Sequence, residues 1–148
     1  MRAGRLAILA GLVGAFAWAT PTAAAAPTTI DIDVTFDVIL EPFTTTGGVL
    51  CPSGDAISHD VSMRGGGRHG NGKLTFHLVK TMYCDNGDTF ELLVDAVQSS
   101  TGTLGGFAVG QGTGSLAGVH GGGSLVGTDI GGGAGIHDHY TGRVTIAP

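Results

Sequence analysis

A compact cluster of potentially reactive side chains lies near the end of the chain, in the stretch His137-Asp138-His139-Tyr140. Successive side chains of a β-strand point to opposite faces, so His137 and His139 would share one face. Two imidazoles on one face are a common start for a zinc or copper site, and His120 or an aspartate could supply a third ligand. The alternative is a polar strand with solvated histidines. The sequence favours that alternative because two ligands in a glycine-rich setting rarely fix a metal, and we therefore predict no metal and no other cofactor.

Other catalytic patterns are missing from the sequence. No G-x-S-x-G motif surrounds Ser115 or Ser124, so serine hydrolase chemistry has no support. The glycine-rich stretch 112–128 has no Gly-Lys-Ser/Thr and is followed by no predicted helix, which excludes a P-loop. Asp31 and Asp33 lack the glycine and the terminal glutamate of a calcium loop. We assign no catalytic residue, and carboxylate pairs that meet only in space stay open.

The first residues have the pattern of an export signal. Two arginines precede the apolar run Leu6–Trp18, and small residues follow it. A membrane anchor is the alternative, but the run is shorter than the roughly 20 residues that cross a bilayer. We predict a signal peptide over residues 1–25, with Ala19 as the alternative cleavage point. Residues 26–148 then form a single secreted domain, without a transmembrane anchor after cleavage.

The charge of the chain narrows the range of partners. The net charge is −5 at pH 7, and removal of the leader with its two arginines makes the domain more acidic still. An acidic surface repels phosphate backbones and anionic lipids, so we predict no nucleic-acid partner and no anionic membrane partner. The acidity itself is interpreted as a means of solubility.

The chain contains two cysteines, Cys51 and Cys84. An exported chain meets oxidising surroundings, where an even number of cysteines predicts a disulfide. A thiolate metal site is the alternative, but neither cysteine lies in a C-x-x-C motif. The pair is therefore predicted to form one disulfide, which leaves no free thiol nucleophile.

The elements that position these residues are predicted to be strands. Thr29–Pro42 alternates almost perfectly, with apolar residues from Ile30 to Leu40 on one face and three aspartates and Glu41 on the other. Phe43–Asp55 predicts a loop, and Ala56–Met63 predicts a weaker strand.

Two further alternating runs, Lys73–Cys84 and Asp88–Gln98, flank the dipeptide Asn86-Gly87. This dipeptide tolerates positive φ at both central positions of a tight turn, so the runs predict a β-hairpin. The inward faces that can be read from Leu74–Met82 and Phe90–Ala96 are apolar except for one residue, Lys80.

More than half of the 28 glycines fall in the last third of the chain. Low-complexity disorder is one interpretation of such a composition. Recurring apolar residues and the final strand pattern His139–Pro148 argue against it, because a strand needs a neighbour to pair with. We interpret Gly112–Gly127 as bent strand. With no helical periodicity after the leader, the sequence predicts an all-β, antiparallel, roughly eight-stranded closed barrel, with a β-sandwich as the alternative.

The glycine pattern supports a specific resemblance. Residues Gly110–Thr128, followed by Tyr140–Ile146, resemble the allene oxide cyclase and dirigent-type barrel group, and more closely its secreted bacterial relatives of unknown function. The structural glycines of the matching motif are Gly112, Gly114, Gly118, Gly121, Gly123 and Gly127. The resemblance implies an eight-stranded barrel. Members with known roles enclose an apolar small molecule for cyclisation or steer a reactive intermediate, without a metal cofactor. None of their catalytic residues can be placed on this sequence.

Three functions follow as hypotheses. The first is a secreted, non-enzymatic module that binds an apolar small molecule or a cell-envelope partner. The second is a structural or self-associating protein, and the third is a cofactor-free enzyme of the cyclase or isomerase kind. An apolar, partly empty lumen would favour binding, a titratable group inside it would favour catalysis, and a filled lumen with an exposed apolar edge would favour assembly. Because Lys80 is the one exception on apolar inward faces, the sequence favours binding.

Overall fold

The computed structural model describes residues 25–36, 41–65, 72–130 and 135–147. Within these residues the chain forms eight strands and one short 3₁₀ turn, Gly114–Leu116. The strands are β1 Thr28–Phe36, β2 Glu41–Thr45, β3 Ser53–Gly65, β4 Leu74–Cys84, β5 Thr89–Ser99, β6 Gly102–Gly112, β7 Val119–Asp129 and β8 Ile136–Ile146. The predicted signal peptide falls almost wholly outside the described residues. None of the described residues belongs to a helix long and apolar enough to span a bilayer.

Each strand pairs antiparallel with the next, and β8 pairs with β1 to close the barrel. The closing register runs along the whole of β1, from Thr28 opposite Val144 to Phe36 opposite Ile136. A closed sheet has no free edge that could pair with another chain. The prediction of an all-β closed barrel is therefore confirmed, and the sandwich alternative is wrong.

The alternating run Thr29–Pro42 forms parts of two strands instead of one. β1 ends at Phe36, and β2 begins at Glu41 and returns along β1 with Phe43 opposite Val34. Alternation cannot be carried from one strand into the next, because the connection resets which positions face inward. The prediction that Glu41 faces outward is consequently wrong: it is buried, with 5% of its surface exposed.

The predicted loop Phe43–Asp55 contains the end of β2 and the start of β3, which extends to Gly65. A bulge between His59 and Ser62 interrupts the pairing of β3 with β4. Within it, Asp60 adopts a left-handed backbone conformation with a φ of 51°. A bulge inserts an extra residue and so changes which positions face inward. Beyond this bulge Val61 and Met63 face the lumen.

The predicted hairpin of β4 and β5 is confirmed, but its turn is longer than the two-residue turn expected. The Cys84 amide donates to the Asp88 carbonyl, and the Gly87 amide donates to the Cys84 carbonyl, both at 2.9 Å. Gly87 takes a positive φ of 90°, and Asn86 does not. This pattern fits a three-residue loop whose last residue is the left-handed one.

The glycine-rich segment is only partly the bent strand that we expected. Gly112 ends β6, Gly114 opens the 3₁₀ turn, Gly118 precedes β7, and Gly121, Gly123 and Gly127 lie within β7. A turn is needed here because β6 and β7 are antiparallel neighbours. Within β7, a Cβ on Gly123 would overlap the carbonyl oxygen of Thr141 on β8. The glycine thus permits a close approach of two strands.

The two ends of the barrel differ. At one end, which we call the disulfide end, Cys51 and Cys84 form a disulfide with their Cα atoms 5.9 Å apart. Leu50 and Leu116 are buried there, so a loop and the 3₁₀ turn cover this end. At the opposite end, which we call the cavity end, β1 and β5 terminate and β4, β6 and β8 begin.

Candidate functional site

Three ionisable side chains and a phenol converge inside the barrel. Lys80 on β4 is 2% exposed, and its ammonium contacts the carboxylate of Glu41 at the start of β2. Asp138 on β8 lies farther away, with its Oδ2 atom 4.0 Å from the Lys80 Nζ atom. The Tyr140 hydroxyl is 3.4 Å from the same Asp138 oxygen. We call Lys80, Glu41, Asp138 and Tyr140 the lumen cluster.

Strand alternation explains how the sequence places these groups. Lys80 lies between Leu78 and Met82 on the inward face of β4, as the sequence predicted. Asp138 and Tyr140 are the inward partners of the alternating stretch His137–Tyr140. Three strands that are not neighbours therefore direct polar side chains to one point of the lumen, which a closed barrel allows because its inward faces meet.

Burial governs the ionisation of the cluster. Loss of solvent raises the pKa of the Asp138 carboxyl, and the nearby Lys80 charge opposes this only in part. Burial likewise raises the pKa of the Tyr140 phenol well above its usual range, with Asp138 and Glu41 adding to the effect. Tyr140 is thus a neutral hydroxyl at neutral pH, and the raised pKa means that the Asp138 carboxyl takes up a proton more readily than a solvated aspartate does.

An apolar cavity lies directly against this cluster. It has a volume of about 240 Å³ and extends from the lumen to the cavity end. Lys80 and Asp138 both line it, beside the hydroxyl-bearing residues Ser58 and Thr103. Its apolar walls include Phe36, Met63, Leu74, Phe76, Leu78 and Ile136. The hydrocarbon part of a ligand would contact these apolar residues while its polar end reached Lys80 and Asp138.

A larger cleft of about 380 Å³ lies at the rim of the same end. It follows the β5–β6 turn, Ser99–Gly102, and the end of β7. Its lining is mostly small hydroxyl residues and glycine backbone, and Ile136 is its one large apolar side chain. The smaller cavity is the better candidate because it combines a mostly apolar lining with convergent polar groups.

The two histidines singled out by the sequence lie on the outer face of β8. They do share one face, as predicted, and they pair with acidic residues of β1. The His139 Nδ1 atom is 2.8 Å from the Asp33 Oδ1 atom, and the His137 Nε2 atom is 3.3 Å from it. His120 pairs with Thr145 at the disulfide end, far along β8 from both. Among the described residues, no three His, Cys, Asp or Glu side chains are arranged to hold a metal.

Sequence reasoning found Lys80 but missed the rest of the lumen cluster. For Asp138 and Tyr140 a signal was present, because they alternate with histidines that were assigned to one face. For Glu41 the only signal was the break in alternation at Val38–Leu40, since the direction of Glu41 depends on where β1 ends. The lumen therefore contains two carboxyl groups that the sequence did not place there.

Searches of protein-family models, curated proteins and solved structures found no match to this chain.

Proposed function

We propose that the protein is a small-molecule binding module whose ligand enters the barrel at the cavity end. The ligand has an apolar body, held by Leu78, Phe76 and their neighbours, and a polar end that reaches Lys80 and Asp138. One observation carries this proposal: an apolar cavity in the lumen ends on buried, titratable side chains. Apolar pockets with a few convergent polar groups are the usual form of ligand sites.

The dimensions of the cavity support a compact ligand. Pockets that hold drug-sized molecules measure roughly 300–1,000 Å³, whereas this cavity measures about 240 Å³. A single ring or a short branched chain fits that space better than a long lipid. The resemblance to allene oxide cyclase and dirigent-type barrels, whose known members use the lumen for apolar molecules, supports the same proposal.

We also propose that this module acts outside the cell, where it could meet its ligand or a partner of the cell envelope. The export pattern of residues 1–25 supports this location. The Cys51–Cys84 disulfide supports it independently, because disulfides persist mainly in oxidising compartments.

The experiment is native mass spectrometry of the protein purified from its own source cells and their medium. We expect an added small-molecule mass that organic extraction removes. Leu78→Trp would fill the cavity and abolish the added mass. Val97→Trp, on the outer face of β5 with 38% of its surface exposed, is the control and should retain it. An added mass that survives in Leu78→Trp would contradict the proposed site.

A cofactor-free isomerase is the second candidate, and the lumen cluster favours it. The Asp138 carboxylate and the Lys80 ammonium line the cavity as a potential proton acceptor and donor pair, and the raised pKa of Asp138 makes its carboxylate a stronger base than that of a solvated aspartate. Such an enzyme would exchange a carbon-bound hydrogen of its ligand with solvent. Incubating the purified protein with its extracted ligand in D₂O tests this by mass. Incorporation of deuterium that Asp138→Asn abolishes would support catalysis. If no deuterium is incorporated, the proposed function is ligand binding without catalysis.

A further inference from the structure

The acidic and basic groups inside the barrel are not equal in number. The lumen cluster contains one ammonium, on Lys80, and two carboxyl groups, on Glu41 and Asp138. The other polar side chains that line the cavity in the described residues, Ser58, Thr103 and Gln98 among them, are neutral. The cluster therefore holds one more acid than base.

Asp138 is the group without a matched charge. Glu41 contacts the Lys80 ammonium directly, whereas Asp138 lies 4.0 Å from it, at the outer limit of an ion pair. Its contact with the Tyr140 hydroxyl is also long, at 3.4 Å. The side chain of Asp138 keeps 16% exposure, compared with 3% for Lys80, so Asp138 is the more accessible of the two charged residues that line the cavity.

A ligand in the cavity could supply the positive charge that Asp138 lacks as a close partner. A cation placed there would pair with Asp138 in a desolvated setting, where charge-assisted hydrogen bonds are strong. An anion would instead meet the Asp138 carboxyl group, and the Lys80 ammonium that lines the same cavity is already engaged by Glu41. A neutral ligand would leave the imbalance as it is.

We propose that the natural ligand is a small apolar amine whose ammonium group binds Asp138 while its hydrocarbon or aryl body fills the cavity. This inference rests on the proposed function, since it names the chemistry of the ligand for the same pocket. Tyr140 and Lys80 then act as neighbours that hold the carboxylate in position and prevent it from turning away from the ligand.

The test uses the full-length processed protein and three aryl probes of similar size: benzylamine, benzyl alcohol and benzoate. Binding is measured at pH 7 by calorimetry and by ligand-observed NMR. We expect benzylamine to bind about tenfold or more tightly than benzyl alcohol, because a hydrogen bond to a charged group contributes about 1.5–3 kcal/mol and 1.4 kcal/mol is tenfold. Benzoate should bind most weakly. The preference for benzylamine should shrink as the pH falls and Asp138 is protonated.

Asp138→Asn should remove the preference for benzylamine and leave benzyl alcohol binding unchanged. Asp95→Asn is the matched control, because it makes the same change on the outer face, where Asp95 pairs with His77. Equal binding of amine and alcohol to the wild-type protein would overturn the inference and leave the pocket intact. Tighter binding of benzoate would also overturn it, in favour of recognition by Lys80. Failure of all three probes to bind would overturn the proposed function as well. The affinities of the wild-type protein for benzylamine and benzyl alcohol test the inference even if Asp138→Asn does not fold.

Discussion

Replacing Glu41 with glutamine removes the carboxylate that contacts the Lys80 ammonium and keeps the shape of the side chain. Both partners are desolvated, with side-chain exposures of 3% for Lys80 and 7% for Glu41. Breaking a buried ion pair at one partner destabilises a protein by about 3–5 kcal/mol, because the remaining charge stays buried and unpaired. Asp138 lies 4.0 Å from Lys80 and can compensate in part. We therefore expect a loss of about 3 kcal/mol, at the lower end of that range.

The assay is equilibrium urea unfolding of the wild type, Glu41→Gln, Glu41→Leu, Lys80→Met and the double variant Glu41→Leu/Lys80→Met. Apolar replacement of a whole buried pair is often neutral or stabilising, so the double variant should recover much of the stability lost in the single variants. Asp95→Asn breaks an exposed pair and should change stability by about 1 kcal/mol or less. If Glu41→Gln loses under about 1 kcal/mol, or if the losses of the two positions simply add, Lys80 and Glu41 are not a coupled buried pair.

Three further predictions concern the disulfide, the strand spacing and the titration of the lumen. Serine at both Cys51 and Cys84 should cost about 3–4 kcal/mol for this loop length, and reductant should lower the Tm of the wild type but not of this variant. Gly123→Ala should cost about 1–3 kcal/mol by overpacking, measured by urea unfolding, because its Cβ would overlap the Thr141 carbonyl oxygen. Gly106→Ala should cost less, because its outward Cβ would meet only the Gly123 carbonyl oxygen, at 3.2 Å; equal losses would contradict the proposed close approach. Because burial raises the pKa of Asp138 from 3.8, its contribution to stability is full below that pH and is lost as the pH rises through the folded-state value. Asp138→Asn should therefore be more stable than the wild type at pH 7, and this advantage should vanish near pH 3; an advantage that instead grew on acidification would refute the assignment.

Much of the barrel follows from alternation, and the exceptions have local causes. Phe90 and Leu92 on β5 face inward as their pattern predicts, since a strand with one buried face keeps a period of two. The pattern fails where an extra residue or a chain reversal changes the phase. Asp60 causes one such change through the bulge in β3, and the connection before Glu41 causes another. The bulge leaves no mark in the alternation of the residues, whereas the consecutive apolar residues Val38, Ile39 and Leu40 interrupt it just before Glu41.

The candidate site was harder to derive because its members come from distant parts of the chain. Lys80 and Asp138 meet only through closure of the barrel, and closure depends on pairing of the first and last strands. The sequence predicted the barrel without its register. Even so, the alternation that placed His137 and His139 together on one face implied that Asp138 faces the other way.

A titration of the ¹³C-methyl-labelled protein with benzyl alcohol, followed by NMR, tests directly whether a ligand binds inside the barrel. Binding in the lumen predicts shift changes concentrated on the methyl groups of Leu74, Leu78 and Ile136, which line the cavity. Leu93 and Val126 are exposed on the outer face and should stay unchanged. Shift changes centred on Leu93 and Val126, or none at the cavity methyls up to saturating probe, would contradict a ligand site inside the barrel.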